Sequence, residues 1–174
     1  SISLTVVQAD LKSSTNTGVM VPQGEGGLAT AMNTTNKCVD GNGNIICKVY
    51  TITVTNGSTA AVRLNGTIQF LAPKSATAGA NIFTNLYWRK TTNATTLGSN
   101  TSVKVTSASS GAISSSTTST DCSTTGNHCS QVYDISAGSV CTISSGTGCT
   151  TTPLAVGASA TFNVVVWINE TNAA

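Results

Sequence analysis

The chain has 174 residues, enough for one domain with a full core or at most two small ones. Only 8% of them are charged and the net charge is +2, against roughly 25% charged residues in ordinary soluble domains, so no basic stripe exists to hold nucleic acid. The surface must be wetted by the hydroxyls and amides of Ser, Thr and Asn, or by something attached to them.

Ser1 to Lys12 opens the chain on a strand pattern. Ile2, Leu4 and Val6 alternate with Ser1, Ser3 and Thr5, the period of a strand with one apolar face. At Val6-Val7 the phase flips, and Val7, Ala9 and Leu11 carry the apolar side while Gln8, Asp10 and Lys12 carry the polar one. A parity flip predicts a bulge or a change of partner. Two half-strands follow, Ile2 to Val6 and Val7 to Leu11, which need not lie in one sheet or on one molecule.

Ser13 to Gly27 is rich in breakers and reads as a linker with a short extended piece, Val19 to Val21, before Pro22. Such a linker is long enough to carry the first strand away from the body. The body then occupies 28–174. Leu28 to Met32 reads as a strand, and Cys38 to Cys47 as a hairpin-like loop around Asp40-Gly41-Asn42-Gly43.

The pattern sharpens after this loop. Tyr50, Ile52 and Val54 alternate with Thr51, Thr53 and Thr55, Asn56-Gly57 turns the chain, and Val62, Leu64, Ile68 and Phe70 alternate with Arg63, Asn65, Thr67 and Gln69. Ile82 to Arg89 supplies an aromatic centre in Phe83, Tyr87 and Trp88, and Val103 with Val105 a short strand. The stretch 106–150 reads as a Ser/Thr-rich exposed insertion, nearly patternless to Ser130, with brief strands at Val132 to Ile135 and Val140 to Ile143. Phe162, Val164, Val166 and Ile168 alternate with Thr161, Asn163, Val165 and Trp167 in the clearest strand of all. No segment shows a capped helical period. Short strands separated by turn signals predict an all-β sandwich.

The cysteines fall as three near-neighbour pairs, Cys38 and Cys47, Cys122 and Cys129, Cys141 and Cys149. Closure within each pair is the simplest connectivity, and a loop of about ten residues contributes roughly 2.5 to 3 kcal/mol on the chain-entropy model. A zinc site is the rival, but it lacks any Cys-x-x-Cys and has only His128 to help. Oxidised clasps point to an extracellular, periplasmic or hyperthermophile setting. Asn33, Asn56, Asn65, Asn93, Asn100 and Asn169 each stand in Asn-x-Ser/Thr. Chance generates some such triplets in this composition, yet Asn65 on a polar strand face and Asn56 at a turn suit glycan attachment. Beyond N-linked glycans no cofactor or metal is expected.

No apolar run of about 18 residues exists to span a membrane. No charged and apolar leader precedes Ser1, so any secretory signal is expected to have been removed. For catalysis there is little material. His128 is the sole histidine, Glu25 and Glu170 lie in the linker and the tail, and Asp10, Asp40, Asp121 and Asp134 are spread over unlike elements. No nucleophile elbow or phosphate-cradling loop is present, so an enzyme is not expected. Carbohydrate binding is a fairer rival. Trp88 sits among apolar neighbours, whereas Trp167 falls on the face expected to be less buried, as a sugar platform or a second-sheet contact.

Tyr50 to Phe70 (YTITVTNGSTAAVRLNGTIQF) and Pro153 to Ile168 (PLAVGASATFNVVVWI) resemble early and final strands of secreted immunoglobulin-like adhesion domains. With the bare first strand, the sequons and the local clasps, the whole resembles the subunits of donor-strand-complemented surface filaments of thermophilic archaea. These are the thread filaments and bundling pili, similar to camelysin-like biofilm-matrix fibre proteins. The resemblance implies an immunoglobulin-like β-sandwich whose missing strand is supplied by a neighbour's Ile2, Leu4, Val6, Val7, Ala9 and Leu11. It implies identical subunits in an extracellular homopolymer, for adhesion or biofilm cohesion, with neighbouring filaments, cell surfaces or glycans as further partners.

Physically, a sandwich lacking a strand leaves unpaired backbone groups and an apolar groove. Filling it with three alternate side chains contributes roughly 5 to 8 kcal/mol before entropic costs, and main-chain bonding sets the register. A contact repeated head to tail that does not close makes a filament. The opposing reading is that Ser1 to Leu11 is the first strand of its own sheet in a monomeric secreted or cell-envelope domain that binds carbohydrate through an exposed Trp.

Overall fold

A computed structural model describes residues 1–9, 16–62, 67–74, 85–91, 93–98, 100, 102–105, 128–134 and 153–170. Its elements are β1 (Ile2–Gln8), β2 (Asn16–Met20), α1 (Glu25–Ala31), β3 (Asn44–Ile45), β4 (Lys48–Asn56), β5 (Thr67–Lys74), β6 (Leu86–Thr91), β7 (Val103–Lys104), β8 (His128–Asp134) and β9 (Ser159–Ile168). Among the described residues the fold is all-β apart from this one short helix. A five-stranded antiparallel sheet runs in the order β1-β4-β9-β6-β7, and two-stranded pairs β2-β3 and β5-β8 accompany it.

The alternating residues of β4 and β9 put this pair at the heart of the sheet. Tyr50, Ile52 and Val54 lie opposite Val164, Phe162 and Ala160, and Trp88 of β6 lies opposite Val166. Because successive side chains point to opposite sides, these residues share one face. There Trp88, Val105, Phe162 and Val164 form a buried cluster that Ile68, Phe70 and Tyr133 of the β5-β8 pair pack against. Phe70 and Tyr133 meet edge to face with centroids 6.3 Å apart, and Trp88 lies 5.8 Å from Tyr133.

The other face is apolar at one end only. Val49, Val165 and Trp167 are buried against Leu28 and Met32 and against the Cys38–Cys47 loop, whose disulfide is present. Beyond that end the same face becomes a ladder of polar pairs. The Thr51 hydroxyl donates to Asn163 (2.6 Å), and hydroxyls pair between Thr53 and Thr161 (3.2 Å) and between Thr55 and Ser159 (2.7 Å). Cross-strand hydroxyl pairs of this kind hold register while leaving a wet surface.

Several expectations are corrected. Leu28 to Met32 is helical over Leu28 to Ala31, the continuation of a seven-residue turn of chain from Glu25. Its stripe of Leu28, Ala31 and Met32 at helical spacing seats on the sheet. The supposed linker 13–27 contains β2, parallel to β3, and Gln23 bridges Asn169. The brief strand read at Val132 to Ile135 is present over its described part as β8, which starts earlier, at His128, and pairs with β5 over Thr67–Asp134 to Lys74–His128. Val140 to Ile143, Phe83, Leu64 and Asn65 lie outside the described residues.

No bulge interrupts the first strand. β1 pairs with β4 in unbroken register from Ile2 opposite Asn56 to Gln8 opposite Tyr50. The parity flip leaves the ladder intact: Ile2, Leu4 and Val6 lie on the side of Phe162 and Trp88, while Ala9 packs on the opposite side against the helix-side cluster. Only Ala9 is covered; Ile2, Leu4, Val6 and Val7 are all exposed.

Candidate functional site

β1 forms the outer edge of the sheet, bonded to β4 alone among the described residues. All seven of its residues are exposed. Ile2 is 45% exposed, Leu4 66%, Val6 56% and Val7 55%, the largest group of exposed hydrophobics on the described surface. Such residues singly are ordinary, but here Ile2, Leu4 and Val6 share one face of an edge strand. No Lys, Pro or bulge protects this edge.

The start of β1 is pinned by backbone. The Ser1 ammonium donates to the Gly57 carbonyl (3.1 Å), and the Gly57 amide donates to the Ser1 carbonyl (2.8 Å). A Cβ on Gly57 would stand 2.9 Å from the Ser1 carbonyl oxygen, so the approach requires glycine. Its end is pinned where the Ala9 amide donates to the Val49 carbonyl (2.9 Å). Between these points β1 adds backbone pairing and little apolar burial. Its attachment therefore rests on hydrogen bonds worth roughly 0.5 to 1.5 kcal/mol each. Leu11, the last apolar residue expected in the strand, lies outside the described residues.

With Asn16–Met20 held by β3, the connection that joins β1 to the body is the six residues 10–15. Six residues reach at most about 20 Å.

The sequons separate by accessibility. Asn56, expected to carry sugar at a turn, is fully buried. Its Nδ2 donates to the carbonyls of Ala60 and Leu154 (2.9 Å each), and its Oδ1 accepts from the Ser58 amide (3.0 Å). Asn100 is buried too, donating to the Lys90 carbonyl. Neither side chain is open to solvent in the folded chain. Asn33 donates to the Thr30 carbonyl (2.6 Å) and caps the following turn through the amides of Thr35 and Asn36. Asn169 accepts from the Trp167 indole (3.3 Å). Asn93 is exposed.

Of the two roles read for Trp167, exposed sugar platform or packing contact, its burial fits the packing contact and not the exposed platform. Trp167 has no exposed surface, lies 5.8 Å from the Tyr87 ring and belongs to the helix-side core. Trp88 is equally buried. Sequence alternation assigned Trp167 to the thinner face without showing that α1 covers it.

Cys38 and Cys47 form the disulfide expected of them. Cys122, Cys141 and Cys149 lie outside the described residues, and Cys129 is placed only as a backbone position in β8, as is His128. Glu25 pairs with Arg89 (3.5 Å), whose guanidinium also reaches the Ser102 hydroxyl (3.0 Å). Glu25 therefore ties α1 to β6. Among the described residues no His, Cys, Asp and Glu come together as a metal site, and no helix is long and apolar enough to cross a membrane. No family model, curated protein or solved structure matches the chain.

Proposed function

We propose that this chain is the structural subunit, or pilin, of an extracellular filament that grows head to tail by lending β1 to the β4 edge of the next subunit. The sandwich becomes complete only with that strand in place, immunoglobulin-like in its two packed layers. The observation that carries this reading is the mismatch at β1: seven residues paired through backbone, with Ile2, Leu4, Val6 and Val7 left open to solvent.

In a lone chain β1 sits on its own β4. Exchange replaces those hydrogen bonds with identical ones from a neighbour, so the backbone term is conserved. The gain comes from whatever apolar surface the neighbour covers, at about 25 cal/mol per Å2. The direction of growth follows from one contact repeated without closure. Surface Ser and Thr, glycans and the Cys38–Cys47 clasp suit an oxidising exterior, where such filaments serve adhesion or biofilm cohesion.

Deleting Ser1 to Lys12 tests this. The truncated chain is expected to remain monomeric in electron micrographs and by light scattering while the full chain forms filaments. Truncated chains that still polymerise, or full chains that never do, would refute the proposal.

A further inference from the structure

We infer that Asn93 is an N-linked glycan acceptor of the folded chain and that Asn56 and Asn100 remain bare, although all three carry the same triplet.

A glycan replaces one hydrogen on Nδ2 and needs a path to solvent. Asn56 uses both Nδ2 hydrogens, on Ala60 and Leu154, and is fully buried. Sugar there would break a bond and force open the β4–β9 end of the sheet. Asn100 is 6% exposed and donates from Nδ2 to the Lys90 carbonyl inside the protein.

Asn93 is built the opposite way. Its backbone carbonyl accepts from the Thr91 hydroxyl (2.7 Å), which anchors the turn to β6. Its Oδ1 accepts from the Thr95 amide (3.0 Å), the Thr95 hydroxyl (3.2 Å) and the Thr96 hydroxyl (2.9 Å). With the oxygen so engaged, the carboxamide is fixed in one orientation and Nδ2 is presented on an exposed residue, with no protein partner among the described residues. Thr95, the hydroxyl residue of the triplet, is thus already bonded to the acceptor side chain. The next residues, Ala94 and Thr95, border a recess of about 250 Å3 that Met32, Asn33, Thr34 and Lys37 also line. A first sugar leaving Asn93 has this partly polar hollow beside it.

The test is expression of the full chain in a secretory host that N-glycosylates, followed by glycopeptide mapping of the folded, secreted fraction. Sugar is expected on Asn93 and not on Asn56 or Asn100. Asn93→Gln should remove one glycan mass, Thr95→Ala should remove the same mass, and Thr95→Ser should retain it. Near-ultraviolet circular dichroism checks that each variant is folded. A bare Asn93 in folded protein, or sugar on Asn56 or Asn100, overturns the inference. Filament formation plays no part in this readout, so its outcome is independent of the assembly proposal.

Discussion

Leu4 lies directly opposite Val54 in the β1–β4 register, yet Leu4 is 66% exposed and Val54 only 7%. Two apolar residues on the same face of adjacent strands have opposite environments because cover stops between them. Leu4→Ser should therefore change the stability of the isolated chain by no more than about 0.5 kcal/mol, while weakening assembly. Val54→Ala should lower stability by about 2 kcal/mol. Urea unfolding of monomer and light scattering of polymer separate the two effects.

Gly57 is the second lever on β1. An alanine Cβ would meet the Ser1 carbonyl oxygen at 2.9 Å, and backbone cannot yield as a flexible side chain would. Gly57→Ala is expected to speed amide exchange in Ile2 to Leu4 while leaving β9 protected. Hydrogen exchange by mass spectrometry reads both segments in one experiment.

Asn56 acts as a knot between the end of β4, the following turn and Leu154. Removing its side chain strands buried carbonyl groups. Asn56→Ala should cost about 2 to 3 kcal/mol, measured as a lower denaturation midpoint with unchanged slope.

The disulfide-closed loop carries a pH signature in Asp40. The backbone amide of Asn44 is the main cause that holds the Asp40 carboxyl below its usual value of 3.8, helped by the Asn44 side chain and the amides of Asn42 and Gly43. A carboxyl whose pKa is lower folded than unfolded contributes stability above its unfolded pKa and loses it as pH falls through the folded one. Asp40→Asn should thus be less stable than the parent at neutral pH, and the gap should shrink through the acid range below 3.8. Thermal unfolding across pH checks the sign.

Strong alternation made β4 and β9 legible from sequence, and Cys38 with Cys47 announced their own loop. The helix was not legible, because EGGLATA spans only seven residues and holds two glycines, too short a window for a helical period to stand out. β8 was legible as a brief strand at Val132 to Ile135, but its start at His128 and its pairing with β5 were not, because they rest on a long-range ladder and on Tyr133 against Trp88 and Phe70. The flip at Val6-Val7 was visible, but it marks no bulge: both residues are exposed, on opposite faces of one unbroken ladder. The buried state of Trp167 and Asn56 depends on α1 and on the Ala60 and Leu154 carbonyls, contacts between distant parts of the chain that no local pattern encodes.

Thr5 and Thr53 are paired across β1 and β4 on the polar face, which makes them reporters of whose strand occupies the edge. In assembled material from Thr5→Cys/Thr53→Cys chains, exchange between subunits predicts a ladder of covalent multimers on a non-reducing gel, collapsing to monomer on reduction. A single monomer band with the new disulfide closed inside each chain would contradict the account.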